Sequence, residues 1–122
     1  MSSHIHLLRY LKFNKILKCA LELDQLVKET DSIKRSKLLK QVQDCVIDAI
    51  SEIAKNCLSG NIPLSEEDFN KLSKYQNLLR IISKPSPVEI RRNLIIQKGG
   101  FIDSLVPAAL LLITILLKQI SD

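Results

Sequence analysis

Few side chains in this sequence are equipped for chemistry. His4 and His6 are the only histidines, and a His-x-His pair at a chain end chelates a metal only from an extended, strand-like backbone. Cys19, Cys45 and Cys57 are odd in number and lack Cys-x-x-Cys spacing, so they provide neither a zinc-ligand set nor a disulfide framework. Cys45 and Cys57 fall on the apolar phase of a helix, where a thiol behaves as a small hydrophobe, and this usage points to a reducing, intracellular compartment. Asp44, Asp48 and Glu52 recur every fourth residue and share one helix face. Such a run could hold a cation or supply paired carboxylates, but no His or Asn joins it as a ligand. Solvent and basic neighbours are expected to balance it: Lys40 and Lys55 nearby, or Arg91 and Arg92 further along. No nucleophile, base and orienting group can be assembled, so the sequence reads as a non-enzymatic protein with no cofactor and no metal.

Cations give a second set of candidates. Lys and Arg number 18 against 13 acids, a net charge of +5. Arg9, Lys12, Lys15 and Lys18 precede the first acid, Glu22, and with Arg91 and Arg92 they are the residues expected to meet an anionic surface. Nucleic acid is a weaker candidate partner. Aromatic residues make up only 4% of the chain, too few for base stacking, which leaves nonspecific contact with the phosphate backbone. The same early cations interrupt any signal-peptide apolar core, and a predominance of lysine over arginine fits poorly with a mitochondrial presequence.

The elements that position these residues are helical. With 122 residues there is room for one compact domain, and three glycines, four prolines and no Trp exclude a phosphate-cradling loop or a turn-dense all-β fold. Apolar residues recur at helical spacing in five segments. The first covers about residues 6–28 and combines a broad apolar surface with the early cations. After cap candidates Thr30, Asp31 and Ser32, the second covers 33–58 as a single central helix, its stripe running from Leu38 and Leu39 through Val42, Cys45, Val46, Ala49, Ile50 and Ile53 to Cys57. Gly60 is placed to close it in a left-handed conformation. The third runs over 65–84 from an N-cap at Ser65, with Leu64 and Phe69 at the positions of a hydrophobic staple. The fourth covers 86–98, opened by a capping box of Ser86, Pro87 and Glu89 and stopped by Gly99-Gly100.

The fifth segment, 101–120, differs in kind. Residues 104–117 carry no charge and are hydrophobic on every side. At 1.5 Å per residue the uncharged stretch spans about 21 Å, against about 30 Å for a bilayer's hydrocarbon core. The full segment comes close to that length, with Asp103 and Lys118 near its ends. Pro107 sits at N3 if Ser104 caps the helix, and kinks it if the helix starts earlier. The expectation is an all-α fold: a bundle of four amphipathic helices in residues 1–98 and a strongly hydrophobic fifth helix at 101–120 beyond a Gly-Gly hinge. Phe101, Leu105, Val106, Leu110, Leu111, Leu112, Ile113, Ile115, Leu116 and Leu117 are the candidate contacts with a membrane or a hydrophobic protein groove. A homo-oligomer that packs these tails together is a further possibility.

From Asp44 to Leu117 the order of motifs is Asp48-x3-Glu52, Leu58-Ser59-Gly60-Asn61-Ile62-Pro63-Leu64, Leu79-Arg80, Arg91-Arg92-Asn93-Leu94 and Gln97-Lys98-Gly99-Gly100-Phe101, followed by an apolar tail. This stretch resembles the small basic proteins with a hydrophobic C-terminus encoded by Polinton/Maverick elements and the related adintoviruses. The resemblance implies a virus-like mobile element and a minor virion or membrane-active protein, and it supplies no catalytic residues. Pro85-Ser86-Pro87-Val88-Glu89 stands where those relatives carry a richer basic run, which bears on any inherited nucleic-acid role. The expected function is therefore an accessory or minor structural protein, membrane- or virion-associated, that acts through its C-terminal helix. The alternatives are a nucleic-acid-packaging protein and a soluble homo-oligomeric helical module.

Overall fold

The computed structural model describes residues 18–121, with side chains over 18–114 and at 118. His4, His6, Arg9, Lys12 and Lys15 lie outside the described residues, as do the side chains of Ile115, Leu116 and Leu117. Among the described residues the protein is all-helical, with seven helices and no strand. They are α1 (residues 18–28), α2 (Ser32–Gln41), α3 (Asp44–Leu58), α4 (Glu66–Ser73), α5 (Gln76–Ser83), α6 (Val88–Gln97) and α7 (Phe101–Ser121).

Local chemistry sets several of these boundaries. An Asp31 carboxylate oxygen accepts the N–H groups of Ile33 and Lys34 at 2.9 and 3.0 Å, capping α2. The Ser65 hydroxyl accepts the Asp68 N–H at 3.1 Å, and three acids in the first turn of α4 favour the helix dipole. Gly60, at φ +72°, closes α3 while Asn61 N–H returns to Asn56 O at 2.9 Å, the double closure of a Schellman end.

Other boundaries depart from expectation. The helix predicted over 33–58 breaks at Val42–Gln43, and that over 65–84 breaks at Lys74–Tyr75. The capping box at Ser86 does not form: Pro87 is the N-cap of α6, without a side-chain cap bond. Glu89 turns to Arg92 instead, because a guanidinium is a stronger donor than a backbone N–H. Phe69, the outer half of the predicted staple, is 59% exposed. Helix α7 begins at Phe101, so Pro107 lies inside it rather than in its first turn.

Helix α3 is central and packs on α5, α6 and α7, while α4 packs on α7 and α2 on α6. Its Val46, Ile47, Ile50 and Ile53 are buried in one apolar cluster with Leu23 and Leu26 of α1. Phe101, Ile102, Leu105, Ala108, Ala109 and Ile113 of α7 belong to that same cluster. The first half of the hydrophobic segment is thus core. Gly99-Gly100 is a turn, bending the chain by 119° between α6 and residues 101–114. At Gly100 a Cβ would stand 2.9 Å from the Tyr75 hydroxyl, so one of the two would have to shift, and the tyrosine ring meets Phe101 edge-on at 5.9 Å.

Candidate functional site

The break between α2 and α3 is the chemically richest part of the protein. In an uninterrupted helix Gln43 N–H would bond to Leu39 O. Here Gln43 N–H goes to a carboxylate oxygen of Glu22 in α1 at 2.9 Å, and the other Glu22 oxygen accepts the Gln43 amide at 2.7 Å. Leu39 O, released, accepts Arg92 Nη1 at 2.6 Å, and Val42 O accepts the same nitrogen at 2.8 Å. An acid from α1 and an arginine from α6 therefore satisfy both sides of the broken hydrogen-bond ladder. The two carbonyls would otherwise be buried without partners, at a cost of about 1–3 kcal/mol each.

Two members of the acidic run predicted on one helix face, Asp44 and Asp48, meet the two adjacent arginines, whereas Glu52 enters no ion pair among the described residues. Arg92 pairs with Asp44 at 2.9 Å and with Glu89 at 3.2 Å, and Arg91 pairs with Asp48 at 2.9 Å while donating to the Ser51 hydroxyl at 2.8 Å. Arg92 is only 6% exposed and Arg91 is largely covered, so the two residues proposed for an anionic surface are engaged with their own protein. Lys18, the remaining described member of that set, is exposed. A third arginine escaped the sequence reading. Arg35 is buried and donates to Glu29 O, to Gly99 O and, at 2.7 Å, to Asp103, which ties α2 to the α6–α7 turn. Its signal was available, because Arg35 lies one turn before Leu39 on the apolar phase of α2, where a charge requires a partner. Among the described residues no buried side-chain nitrogen or oxygen lacks a hydrogen-bond partner.

Cys19, Cys45 and Cys57 are free and half-buried. Burial, followed by the hydrogen bond and charge of Cys45 and then the charges of Glu22 and Asp48, pushes the Cys19 thiol up to about 12. Burial also raises Cys57. Thiols shifted this way are poor nucleophiles and metal ligands. No group of three or more His, Cys, Asp or Glu among the described residues is arranged to hold a metal ion.

The predicted docking residues of α7 divide into two classes. Phe101, Leu105 and Ile113 face the core, Val106 and Leu112 are half-buried, and Leu110 and Leu111 are 39% and 37% exposed. Leu111 and Leu112 border a shallow groove of about 170 Å³ with Ile53 and Ile62. A larger apolar groove, about 270 Å³, lies between Leu58, Leu64, Phe69 and Leu79. No single helix among the described residues is long and apolar enough to cross a membrane; α6 and residues 101–114 reach that measure only jointly, across their bend. Comparison with protein-family models, with curated proteins and with solved structures gives no match.

Proposed function

We propose that this chain is a non-enzymatic accessory or minor structural protein of a virus-like element of the Polinton/Maverick kind, and that it binds a hydrophobic partner through the outer side and distal end of α7. In this reading the amphipathic helices preceding Gly99 are a platform that fixes the first half of α7 and presents the rest. The observation that carries it is the exposure of Leu110 and Leu111 on a helix whose opposite side, Ala108, Ala109 and Ile113, is already buried. An apolar surface on both sides of one helix calls for a second shelter. Burial of Phe101, Leu105, Ala108, Ala109 and Ile113 in the protein's own core leaves the other side of the helix to dock, which favours a protein groove, or the face of a bilayer, over immersion of the whole helix in lipid. Packaging of nucleic acid draws less support, because Arg91 and Arg92 are spent on Asp48 and Asp44.

The test uses the full chain and its Leu110→Asp/Leu111→Asp variant, compared by light scattering without detergent and by flotation on neutral phosphatidylcholine vesicles. The expected result is a defined multimer, or flotation, in the parent chain and its loss in the variant. A parent chain that stays monomeric and ignores neutral vesicles, or a variant that behaves identically, refutes apolar docking.

A further inference from the structure

Helix α2 carries Lys34, Arg35, Lys37 and Lys40 and no acid. Arg35 is turned inward to Asp103, whereas the three lysines are exposed and enter none of the ion pairs among the described residues. Ile33, Lys37 and Lys40, at i, i+4 and i+7, form one outward stripe, with Lys34 beside it. Asp31 caps the helix and Asp103 holds Arg35, so neither is paired with these lysines. Ile33 is 69% exposed and stands within this cationic face. Alongside runs an open groove of about 390 Å³ bordered by Ser32 and Ser36, by Lys37 and Lys40, and by Ile96 and Gly99.

From this arrangement we infer that the outer face of α2 binds the surface of an anionic lipid bilayer. The lysines meet phosphate and carboxylate headgroups, the serine hydroxyls donate to them, and Ile33 enters the boundary between headgroups and acyl chains. Charge complementarity selects an anionic partner, and the protruding isoleucine selects a bilayer among anionic partners. Against a nucleic-acid backbone Ile33 would be pressed onto phosphates, and no aromatic side chain borders the groove to stack on a base. Exposed lysines near an anionic leaflet attract it electrostatically, and a single inserted isoleucine adds a smaller apolar contribution. This contact is independent of the one proposed for α7.

The full chain is floated on phosphatidylcholine vesicles with and without roughly one-third phosphatidylserine. Anionic lipid is expected to raise flotation above that on neutral vesicles, and this increment should weaken as salt rises. Lys37→Gln/Lys40→Gln should lower the partition coefficient about thirtyfold, from roughly fivefold per surface lysine. Ile33→Ser should lower it as well, while all variants keep the parent's circular dichroism and melting temperature. Leu110→Asp/Leu111→Asp should leave the increment due to anionic lipid unchanged, which separates failure here from failure of the α7 proposal. The inference is overturned if the parent does not float on anionic vesicles or floats equally on neutral ones. It is also overturned if the lysine variant partitions like the parent, or loses duplex-DNA binding while keeping vesicle binding.

Discussion

Replacing Arg92 by Met should destabilise the protein even though the two side chains are similar in length and Met suits an apolar site. Exchanging a buried ion pair for apolar residues is often neutral, because both charges leave together. Here the principal partners are the carbonyls of Leu39 and Val42, at 2.6 and 2.8 Å, and no side-chain substitution removes them. A hydrogen bond from a charged donor contributes about 1.5–3 kcal/mol, so losing two forfeits roughly 3–6 kcal/mol before desolvation is counted. Asp44 and Glu89 are 66% and 68% exposed, which limits each of those ion pairs to about 1 kcal/mol or less. Relief of the arginine's own desolvation offsets part of the total, leaving an expected loss of about 2–4 kcal/mol for Arg92→Met. Arg92→Ala, which adds a cavity, should lose about 3–5 kcal/mol. Asp44→Asn should lose less than about 1 kcal/mol. Urea unfolding followed by far-UV circular dichroism reads these differences as shifts in midpoint at constant slope. If Arg92→Met costs under about 1 kcal/mol, or Asp44→Asn costs as much as Arg92→Met, then the arginine does not sustain the helix break.

Two further outcomes are expected. Gly100→Ala should cost about 1–2 kcal/mol in the same unfolding assay, and Tyr75→Phe should recover much of that by removing the hydroxyl that the new methyl meets; a double variant no better than Gly100→Ala alone refutes the contact. Cys19 keeps its proton in the folded chain up to about 12, whereas in the unfolded chain it ionises from its ordinary 9.0. The unfolded state therefore binds fewer protons in that window, so stability falls as pH rises from about 9 towards 12 and is unaffected by this group below it. Cys19→Ser should flatten that decline, and an unchanged slope in urea midpoints against pH counts against the buried thiol.

Three helix ends were legible because their signals lie within a few residues of their effects. Asp31, Ser65 and Gly60 act on backbone groups two to five positions away, so the sequence alone places them. The pairing of Asp44 and Asp48 with Arg92 and Arg91 was one of several balances the sequence left open, beside solvent, Lys40 and Lys55. The box at Ser86 was misleading, since Glu89 had a better acceptor role one turn on, with Arg92.

Composition and periodicity thus determined an all-helical chain, a central apolar helix and a C-terminal segment without a polar side. Only the tertiary structure decided where the long helices break and which half of the last one is core. The stripe through Leu39, Val42 and Val46 keeps helical spacing straight across the break at Val42–Gln43, so no local window registers it. What makes the break tolerable is Glu22 and Arg92, which supply a hydrogen-bond acceptor and donor from 21 and 53 residues away. Partners at such separations meet only after the chain has folded, and for that reason they leave no trace in the pattern of neighbouring residues.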